Sequence, residues 1–394
     1  MCRVCLLSWT FVSLVVLVCG HGAGITEVTQ STLPTVLHDN KCVFIYAIQE
    51  DCDRCKLLYH TFLVAAQNFR NDKSIFFGIV SEETLIQAFD VSSFPGIVYY
   101  EFGSVVPKVY LGDVTAGALT KVVTDAMKAD FRKLDRQFSL MLTKHNYDPV
   151  MNTGQHYRLV MLHEADDEDD VDVYDDIAET FENEPNVVIA RINVDFEKKL
   201  KRHFNAVEFP SFYWLTKGTA SKKKRYGGSL NIEQMISFVN KEVGLFRTKG
   251  GRLNPYAGLI EPLDNVLNNY GRALYEIKEF DKIRTDMRGA ISKLPAYTDE
   301  ELVNFYNELL DELEEDRSIE VLDETRNRIY RRMDDVGPLT FDQLIRKRNI
   351  VQKIIDIIGY HLLQQLSKED FNAPFHGSER VVIDEHGLEF HEEL

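Results

Sequence analysis

The sequence has little cysteine, an excess of negative over positive charge, and no long apolar run beyond its first residues. Only 6 of its 394 residues are cysteine, and a chain of this length buries a core that folds without a dense disulfide scaffold. Its 45 Lys and Arg residues are outnumbered by 62 Asp and Glu residues, which gives a net charge of −17. Such a charge repels phosphate backbones, which argues against a general nucleic-acid binder.

Several chemical signatures are also missing from the sequence. It contains no glycine-rich phosphate loop, no nucleophile elbow and no histidine or cysteine spacing typical of a zinc site. We therefore expect neither a metal centre nor a bound cofactor. The apolar fraction of 44% and the charged fraction of 27% are ordinary for a globular protein. The length predicts two to three domains.

Both ends of the chain carry candidate targeting signals. Residues 1–24 contain Arg3 followed by an almost unbroken apolar run over the 14 residues 6–19, which is shorter than the ~20 residues that span a bilayer. This pattern predicts a cleaved secretory signal rather than a membrane anchor. The second candidate signal consists of the last four residues, His391, Glu392, Glu393 and Leu394. They are similar to the tetrapeptide that the retrieval receptor of the endoplasmic reticulum (ER) binds. We expect an ER-lumenal protein with no membrane span after cleavage.

The region after the signal contains an internal repeat. Phe94-Pro95 and Phe209-Pro210 each precede a β-rich run, and in each half a glycine follows 17 residues after the proline. A shared spacing of this kind indicates a duplication. In the first half we predict strands at 41–47, 74–80, 97–102 and 105–111, with helices at 57–66 and 116–127. In the second half we predict strands at 157–162, 186–194, 212–215 and one ending at 227, with helices reaching 181 and covering 232–243. This alternation predicts an α/β fold.

After Gly244 the apolar pattern becomes helical. Residues 298–301 and 340–343 each match a capping box, and apolar residues between 302 and 313 recur with helical spacing. We predict an all-α bundle of about five helices. Residues 368–394 have little apolar periodicity and are predicted to form a tail that presents the retrieval signal.

These residues resemble the protein disulfide isomerase family. The first repeat resembles a thioredoxin domain in Cys52-x-x-Cys55-Lys56 and Phe94-Pro95, and the second in Phe209-Pro210 with the Tyr-Gly-Gly at 226–228. The region from about 250 to 366 resembles the all-helical C-terminal domain of plant, fungal and protist isomerases and of a related redox-inactive ER chaperone. The resemblance implies two thioredoxin-like domains followed by the bundle. The expected boundaries are 1–24 signal, 25–130 with the Cys pair, 131–245 without one, 246–367 helical, and 368–394 tail.

The cysteines that remain after signal cleavage are a candidate reactive pair plus one more. Cleavage removes the three in the signal and leaves Cys42, Cys52 and Cys55. The resemblance implies that Cys52 lies at a helix N-terminus, which favours its thiolate, and attacks a substrate disulfide that Cys55 then resolves. It also implies that Phe94 and Pro95 position the substrate. Cys42 falls in a predicted core strand, where we expect a buried, inert thiol.

The surroundings of the pair depart from the family pattern. Asp51 precedes the pair where the family usually has Trp, and Asp53-Arg54 replace Gly-His. Together with Glu50, these acidic residues should raise the pKa of the Cys52 thiol, and Arg54 should oppose them. A less stabilised thiolate makes the pair a weaker oxidant.

A second departure lies six residues before Cys52. Tyr46 occupies this position, where the family usually places a buried carboxylate that takes the proton of the resolving cysteine. A tyrosine replaces it poorly near neutral pH. Two interpretations remain open: a thiol–disulfide oxidoreductase, of full or weak activity, that assists the folding of secretory proteins, and a non-catalytic ER chaperone or escort with a vestigial or structural pair.

The second repeat has no cysteine pair. Cys52 lies 43 residues before Pro95, and the same count back from Pro210 reaches Asp167, inside the acidic run 165–170. This excludes thiol chemistry in that repeat and leaves Phe209 and Pro210 as its proline loop. Two interpretations of the acidic run stay open: a solvated loop, or a loop that associates weakly with calcium. The run lacks the spacing of an EF-hand. Expected partners are unfolded or disulfide-containing secretory proteins and the retrieval receptor. A partner subunit bound by the helical region, or a homodimer, also stays open.

Overall fold

A computed structural model gives the fold for residues 25–129, 134, 136–218, 222–316 and 318–372, with side chains as far as 363. The candidate signals at 1–24 and 391–394 lie outside these residues, as does most of the predicted tail. The chain divides into two compact units. The first comprises residues 1–254 and 337–341, and the second comprises residues 255–336 and 342–394. The first unit contains both repeats, and the second contains most of the helical region.

The first repeat forms a five-stranded mixed sheet in the order β1-β3-β2-β4-β5. Strand β2 is parallel to β3 and antiparallel to β4, and all six of its residues are buried. The elements are β1 Thr26–Glu27, α1 Leu33–Asp39, β2 Cys42–Ala47, α2 Asp53–Asn68, β3 Ile75–Val80, α3 Glu83–Ala88, β4 Gly96–Tyr100, β5 Lys108–Tyr110 and α4 Ala116–Ala126.

The second repeat has the same topology, with a sheet in the order β10-β9-β7-β8-β6. Its elements are β6 Leu140–Met141, α5 Tyr147–Met151, β7 Tyr157–His163, α6 Glu168–Thr180, β8 Val187–Asn193, α7 Lys198–Phe204, β9 Ser211–Leu215, β10 Lys223–Arg225 and α8 Ile232–Val243. Each sheet has parallel pairs at one side and an antiparallel hairpin at the other. The two thioredoxin-like sheets expected from the sequence are therefore confirmed.

The elements that the sequence did not predict are short. Strands β1 and β6 have 2 residues each, and helices α1, α3, α5 and α7 have between 5 and 7. Segments of this length are too short for apolar periodicity to show. The strand predicted at 105–111 is also shorter, since only Lys108–Tyr110 pair with β4.

The helical region has six helices within the described residues, where about five were predicted. They are α9 Glu261–Asn269, α10 Gly271–Tyr275, α11 Phe280–Ile291, α12 Glu300–Asp316, α13 Glu320–Arg331 and α14 Pro338–Asn372. The apolar stripe of α12 is buried as predicted, with its core positions 0–9% exposed. Helix α14 continues past residue 368, where the tail was predicted to begin. Among the described residues, no helix is both long and apolar enough to cross a membrane.

The caps of two helices differ from the predicted capping boxes. Helix α12 is capped by Asp299, because its Oδ1 accepts hydrogen bonds from the backbone N–H groups of Glu301 at 3.0 Å and Leu302 at 3.4 Å. The box assigned to Thr298 is therefore shifted by one residue. Thr340 does not start α14 either, because that helix already begins at Pro338. Proline is favoured in a first turn, where its missing N–H needs no partner.

Substitution of Asp299 by alanine is expected to destabilise the helical unit by about 1 kcal/mol, the typical value of an N-cap side chain. The other carboxylate oxygen of Asp299 accepts from Gln343 Nε2 at 3.0 Å, and this bond is lost as well. Urea unfolding followed by circular dichroism measures the change. Thr298→Ala is the matched control and should change the free energy of unfolding by less than about 0.5 kcal/mol. Equal losses in the two variants would contradict the assignment of the cap.

Candidate redox site

The two cysteines of the pair are joined at the start of helix α2. Cys52 and Cys55 form a disulfide with a Cα–Cα distance of 5.2 Å. Cys52 is the residue immediately before α2, and its Sγ accepts a hydrogen bond from the backbone N–H of Cys55 at 3.0 Å. Cys52 is half-buried, whereas Cys55 is 4% exposed. An attacking reagent therefore reaches Cys52 more easily than Cys55, in keeping with the order of attack that the sequence suggested.

The first proline loop lies beside the pair. The Phe94–Pro95 peptide bond is cis, and Pro95 leads directly into β4. Because Ala47 pairs with Gly96, the proline lies at the end of β2 from which the chain continues to Cys52. Phe94 and Cys52 are both partly buried against the same apolar core. Pro95 itself is buried, and the role of Phe94 and Pro95 in positioning a substrate stays a prediction.

The charges around the pair are on the surface. Glu50, Asp51, Asp53 and Arg54 are all exposed. The carboxylate of Asp53 lies 3.6 Å from Lys56 Nζ in an exposed ion pair. Water screens exposed charges strongly, so the effect of this acidic surrounding on the Cys52 pKa stays a prediction.

Tyr46 lies beneath the pair in the core. Its side chain is fully buried, and its hydroxyl donates a hydrogen bond to the backbone carbonyl of Cys55 at 2.8 Å. Burial, with a further contribution from Tyr59, raises the pKa of Tyr46 well above that of an exposed tyrosine. The Tyr46 hydroxyl therefore stays protonated near neutral pH. Tyr46 positions the Cys55 backbone but cannot accept the proton of the Cys55 thiol.

The third cysteine is separate from the pair. Cys42 is the first residue of β2, is fully buried, and has its Sγ 3.6 Å from the Ala126 carbonyl oxygen. Burial, together with the nearby Asp72 and Glu101, raises the pKa of the Cys42 thiol to about 11. The predicted burial is confirmed. The raised pKa disfavours the thiolate, which is the reactive form.

The second repeat places an acidic segment where the first has cysteines. Asp167 directly precedes α6, as Cys52 precedes α2, and its Oδ2 accepts the Glu164 N–H at 2.8 Å. The Phe209–Pro210 peptide bond is cis and leads into β9, so the proline loop is retained without thiols. Within the part of the chain that the structure describes, no three His, Cys, Asp or Glu side chains are grouped to hold a metal ion.

Comparison with known proteins shows which proteins this chain is similar to. No protein-family model matches the chain. Protein disulfide-isomerase erp38 of Neurospora crassa is 22% identical over 365 residues, covering 90% of this chain and 97% of that protein. Probable protein disulfide-isomerase A6 of Medicago sativa is 23% identical over 295 residues, covering 73% and 80%. Protein disulfide-isomerase 1 of Dictyostelium discoideum is 24% identical over 288 residues, covering 70% and 78%. The chain is a thioredoxin-like protein similar in sequence to protein disulfide isomerases over most of its length.

Solved structures add little to this assignment. Human ERp44 in its zinc-bound form is 14% identical with a TM-score of 0.24, and the match covers 56% of this chain and 57% of that one. Full-length ERdj5 is 12% identical with a TM-score of 0.25, covering 56% and 32%. Superpositions of this quality carry no argument, and the similarity rests on the sequence relatives and on the sheets described above.

Two residues beside the redox pair come from the second repeat and were missed by the sequence reasoning. Gln155 Nε2 donates to Asp53 Oδ1 at 3.3 Å, and His156 Nε2 lies 2.8 Å from the Leu57 carbonyl oxygen. Asp53 lies between the two cysteines, and Leu57 lies two residues after Cys55. No local motif marks Gln155 or His156, because their role depends on how the two repeats pack.

Proposed function

We propose that the chain is a thiol–disulfide oxidoreductase of the protein disulfide isomerase type. The observation that carries the proposal is the half-buried Cys52, disulfide-bonded to Cys55 at the N-terminus of α2 and beside the cis proline loop. A helix N-terminus stabilises a thiolate through its free N–H groups and its dipole. The catalytic residues are accordingly Cys52 and Cys55, with Phe94 and Pro95 positioning the substrate.

The reaction follows from the exposure of the two sulfurs. In the reduced protein the Cys52 thiolate attacks one sulfur of a substrate disulfide, forms a mixed disulfide and releases a substrate thiolate. The Cys55 thiolate then attacks Cys52 Sγ, which re-forms the Cys52–Cys55 disulfide and releases the second substrate thiolate. The substrate is reduced and the pair oxidised, and the reverse sequence oxidises a dithiol substrate.

The proposed setting is the lumen of the endoplasmic reticulum, with unfolded or disulfide-containing secretory proteins as substrates. The support comes from the sequence at 1–24 and at His391, Glu392, Glu393 and Leu394. A lumen that permits disulfides is the compartment in which such a pair cycles between its two states. The retrieval receptor is then a further partner, and a homodimer remains compatible with this proposal.

The test is turnover by the full chain without its signal. Insulin reduction in the presence of glutathione, and refolding of a scrambled disulfide protein, are expected to exceed the rates of a Cys52→Ser, Cys55→Ser double variant. That control keeps the fold and removes only the two sulfurs. Equal rates for the two proteins would overturn the oxidoreductase proposal.

The contacts of Tyr46 favour a second candidate, a non-catalytic chaperone or escort. Tyr46 fills the position below the pair and cannot take a proton from Cys55. In this case the double cysteine variant should suppress aggregation of an unfolded client as well as the parent chain does. A loss of that suppression in the variant would rule out the chaperone alternative.

A further inference from the structure

Helix α2, which carries the redox pair, is shared between the two sheets of the first unit. Phe62 and Ala65 pack with Cys55 in the core over the first sheet. Leu63 and Val64 are 3% and 5% exposed and belong instead to the core of the second sheet. The second repeat therefore packs directly on the helix that holds the cysteines, along its length.

Near the cysteine end of α2, this packing becomes a set of hydrogen bonds. The Leu57 carbonyl oxygen lies 2.8 Å from His156 Nε2 and 3.1 Å from Nδ1 of His60 on the same helix. The two imidazoles meet edge to face, with ring centroids 4.9 Å apart. His60 and His156 are 7% and 1% exposed, so this is a buried polar contact. Gln155 adds the bond to Asp53 described above.

We propose that His156 is a positioning residue of the redox pair: from the second repeat it holds the Leu57 carbonyl, and with it the first turns of α2 on which the Cys52 thiolate depends. This inference rests on the proposed function, because it concerns the reactivity of the same pair. It assigns the cysteine-free second repeat a part in the redox site, at a distance of 99 residues along the chain.

The physical link runs through the backbone of the first turn. The Cys55 N–H donates to Cys52 Sγ at 3.0 Å, and such N–H groups stabilise a thiolate only if the turn is ordered. Residues at a helix start fray easily unless a side chain or a neighbouring element holds them. His156 binds the carbonyl two residues after Cys55. Loss of this bond is expected to loosen the turn and destabilise the thiolate.

His156 performs this role as a neutral imidazole. With Nε2–H donating to Leu57, its Nδ1 accepts from the Thr153 hydroxyl at 3.2 Å. Burial lowers the pKa of His156; its bond to the Leu57 carbonyl opposes this effect, and the positive charges of Arg158 and Lys217 reinforce it. Burial and then the neighbouring His156 lower the pKa of His60 to about 3.

The sign of the resulting pH dependence follows. An exposed histidine titrates near pH 6.5. Both imidazoles have a lower pKa when they are buried in the contact between α2 and the second repeat, so protonation at acid pH favours the state in which this contact is broken. The contact is at full strength above about pH 6.5 and weakens as the pH falls below it. Besides the two imidazoles, the charged groups at this contact are Arg158 and Lys217, which act on His156, and the exposed Asp53 of α2, which accepts from Gln155.

Three variants separate the hydrogen bond from packing and charge. His156→Phe keeps a ring but removes the donor, His156→Gln keeps an N–H donor that cannot titrate, and His145→Gln changes an exposed histidine of the same repeat as the control. Each reduced protein is alkylated with iodoacetamide between pH 5 and 8, and labelling of Cys52 is followed by mass spectrometry.

At pH 7.5 the Phe variant should react about threefold to tenfold more slowly than the parent. The Gln variant and the control should match the parent. Below pH 6 the parent should lose reactivity more steeply than the Gln variant.

The outcomes separate this inference from the proposed function, because alkylation reports the thiolate and requires no turnover. Equal rates for the parent and the Phe variant, or equal slowing in the Phe and Gln variants, would overturn the positioning role. If the Phe variant does not fold, the Gln variant decides: an acid profile identical to that of the parent overturns the inference. Absence of insulin turnover together with the expected alkylation pattern would overturn only the oxidoreductase proposal.

Discussion

Replacing Cys52 by serine is expected to lower the turnover of insulin reduction at least about 100-fold, to the background rate, because the thiolate is the attacking nucleophile. Replacing Cys55 by serine is expected to have a different result. The half-buried Cys52 remains able to attack, but nothing in the pair then resolves the mixed disulfide. The Cys55→Ser protein should accumulate covalent complexes with disulfide-containing clients, and the Cys52→Ser protein should not.

The measurement is turnover together with non-reducing electrophoresis after trapping with acid. Cys42→Ser is the matched control, since Cys42 is a fully buried thiol outside the pair and its pKa is raised to about 11. It should leave both turnover and trapping unchanged. Covalent complexes of equal yield in the Cys52→Ser and Cys55→Ser proteins would contradict the assigned roles, because both thiols would then be equally nucleophilic.

The parts of the site that lie close together in the sequence could be predicted from it. The apolar run of β2 and the two Phe-Pro pairs that precede a strand are local or repeated patterns, and the strands lie where these patterns predicted them, although the cis form of the prolines could not be predicted. Helix α8 has the bounds that its apolar spacing predicted, Ile232–Val243. Such patterns are visible because the buried face of an element has a fixed period along the chain.

The contacts between the repeats could not be predicted in this way. Gln155 and His156 lie in a short loop before β7, and their partners on α2 are 102 and 99 residues earlier in the chain. A single sequence contains no signal for such a pairing, because it depends on how two finished sheets pack. The cap of α12 shows the same limit at shorter range: Thr298 and Asp299 are both good cap residues, and only the backbone decides between them.

Tyr46 has one feature that could be predicted from the sequence and one that could not. The resemblance implies a buried side chain six residues before Cys52, and the full burial of Tyr46 agrees with that position. Its hydrogen bond to the Cys55 carbonyl could not be predicted, since it requires β2 and α2 to be in their final positions. The bond makes Tyr46 a positioning group for the backbone of the resolving cysteine, a role that its poor acidity does not affect.

Substituting Tyr46 by glutamate is therefore expected to accelerate resolution of the mixed disulfide about tenfold at pH 7, since a placed general base commonly contributes that much or more. The site is fully buried, and burial raises the pKa of a carboxyl group towards neutrality. Such a group can accept the proton of the Cys55 thiol, which tyrosine cannot. The lifetime of the mixed disulfide, measured by stopped-flow mixing with a fluorescent disulfide peptide and acid trapping, reports this step.

Tyr46→Phe is the matched control for this substitution. It keeps the ring contacts with Tyr59 and Phe62, whose centroids lie 5.7 and 5.1 Å away, and removes only the hydroxyl bond to Cys55. It should cost about 1 kcal/mol of stability without shortening the lifetime of the mixed disulfide. Thermal unfolding checks that both variants are folded at the assay temperature.

A folded glutamate variant whose mixed disulfide persists as long as that of the phenylalanine variant would show that proton transfer does not limit the attack of Cys55 on the mixed disulfide. The slow step would then be the movement that brings Cys55 Sγ to Cys52, which is restrained by the same turn that Tyr46 and His156 hold.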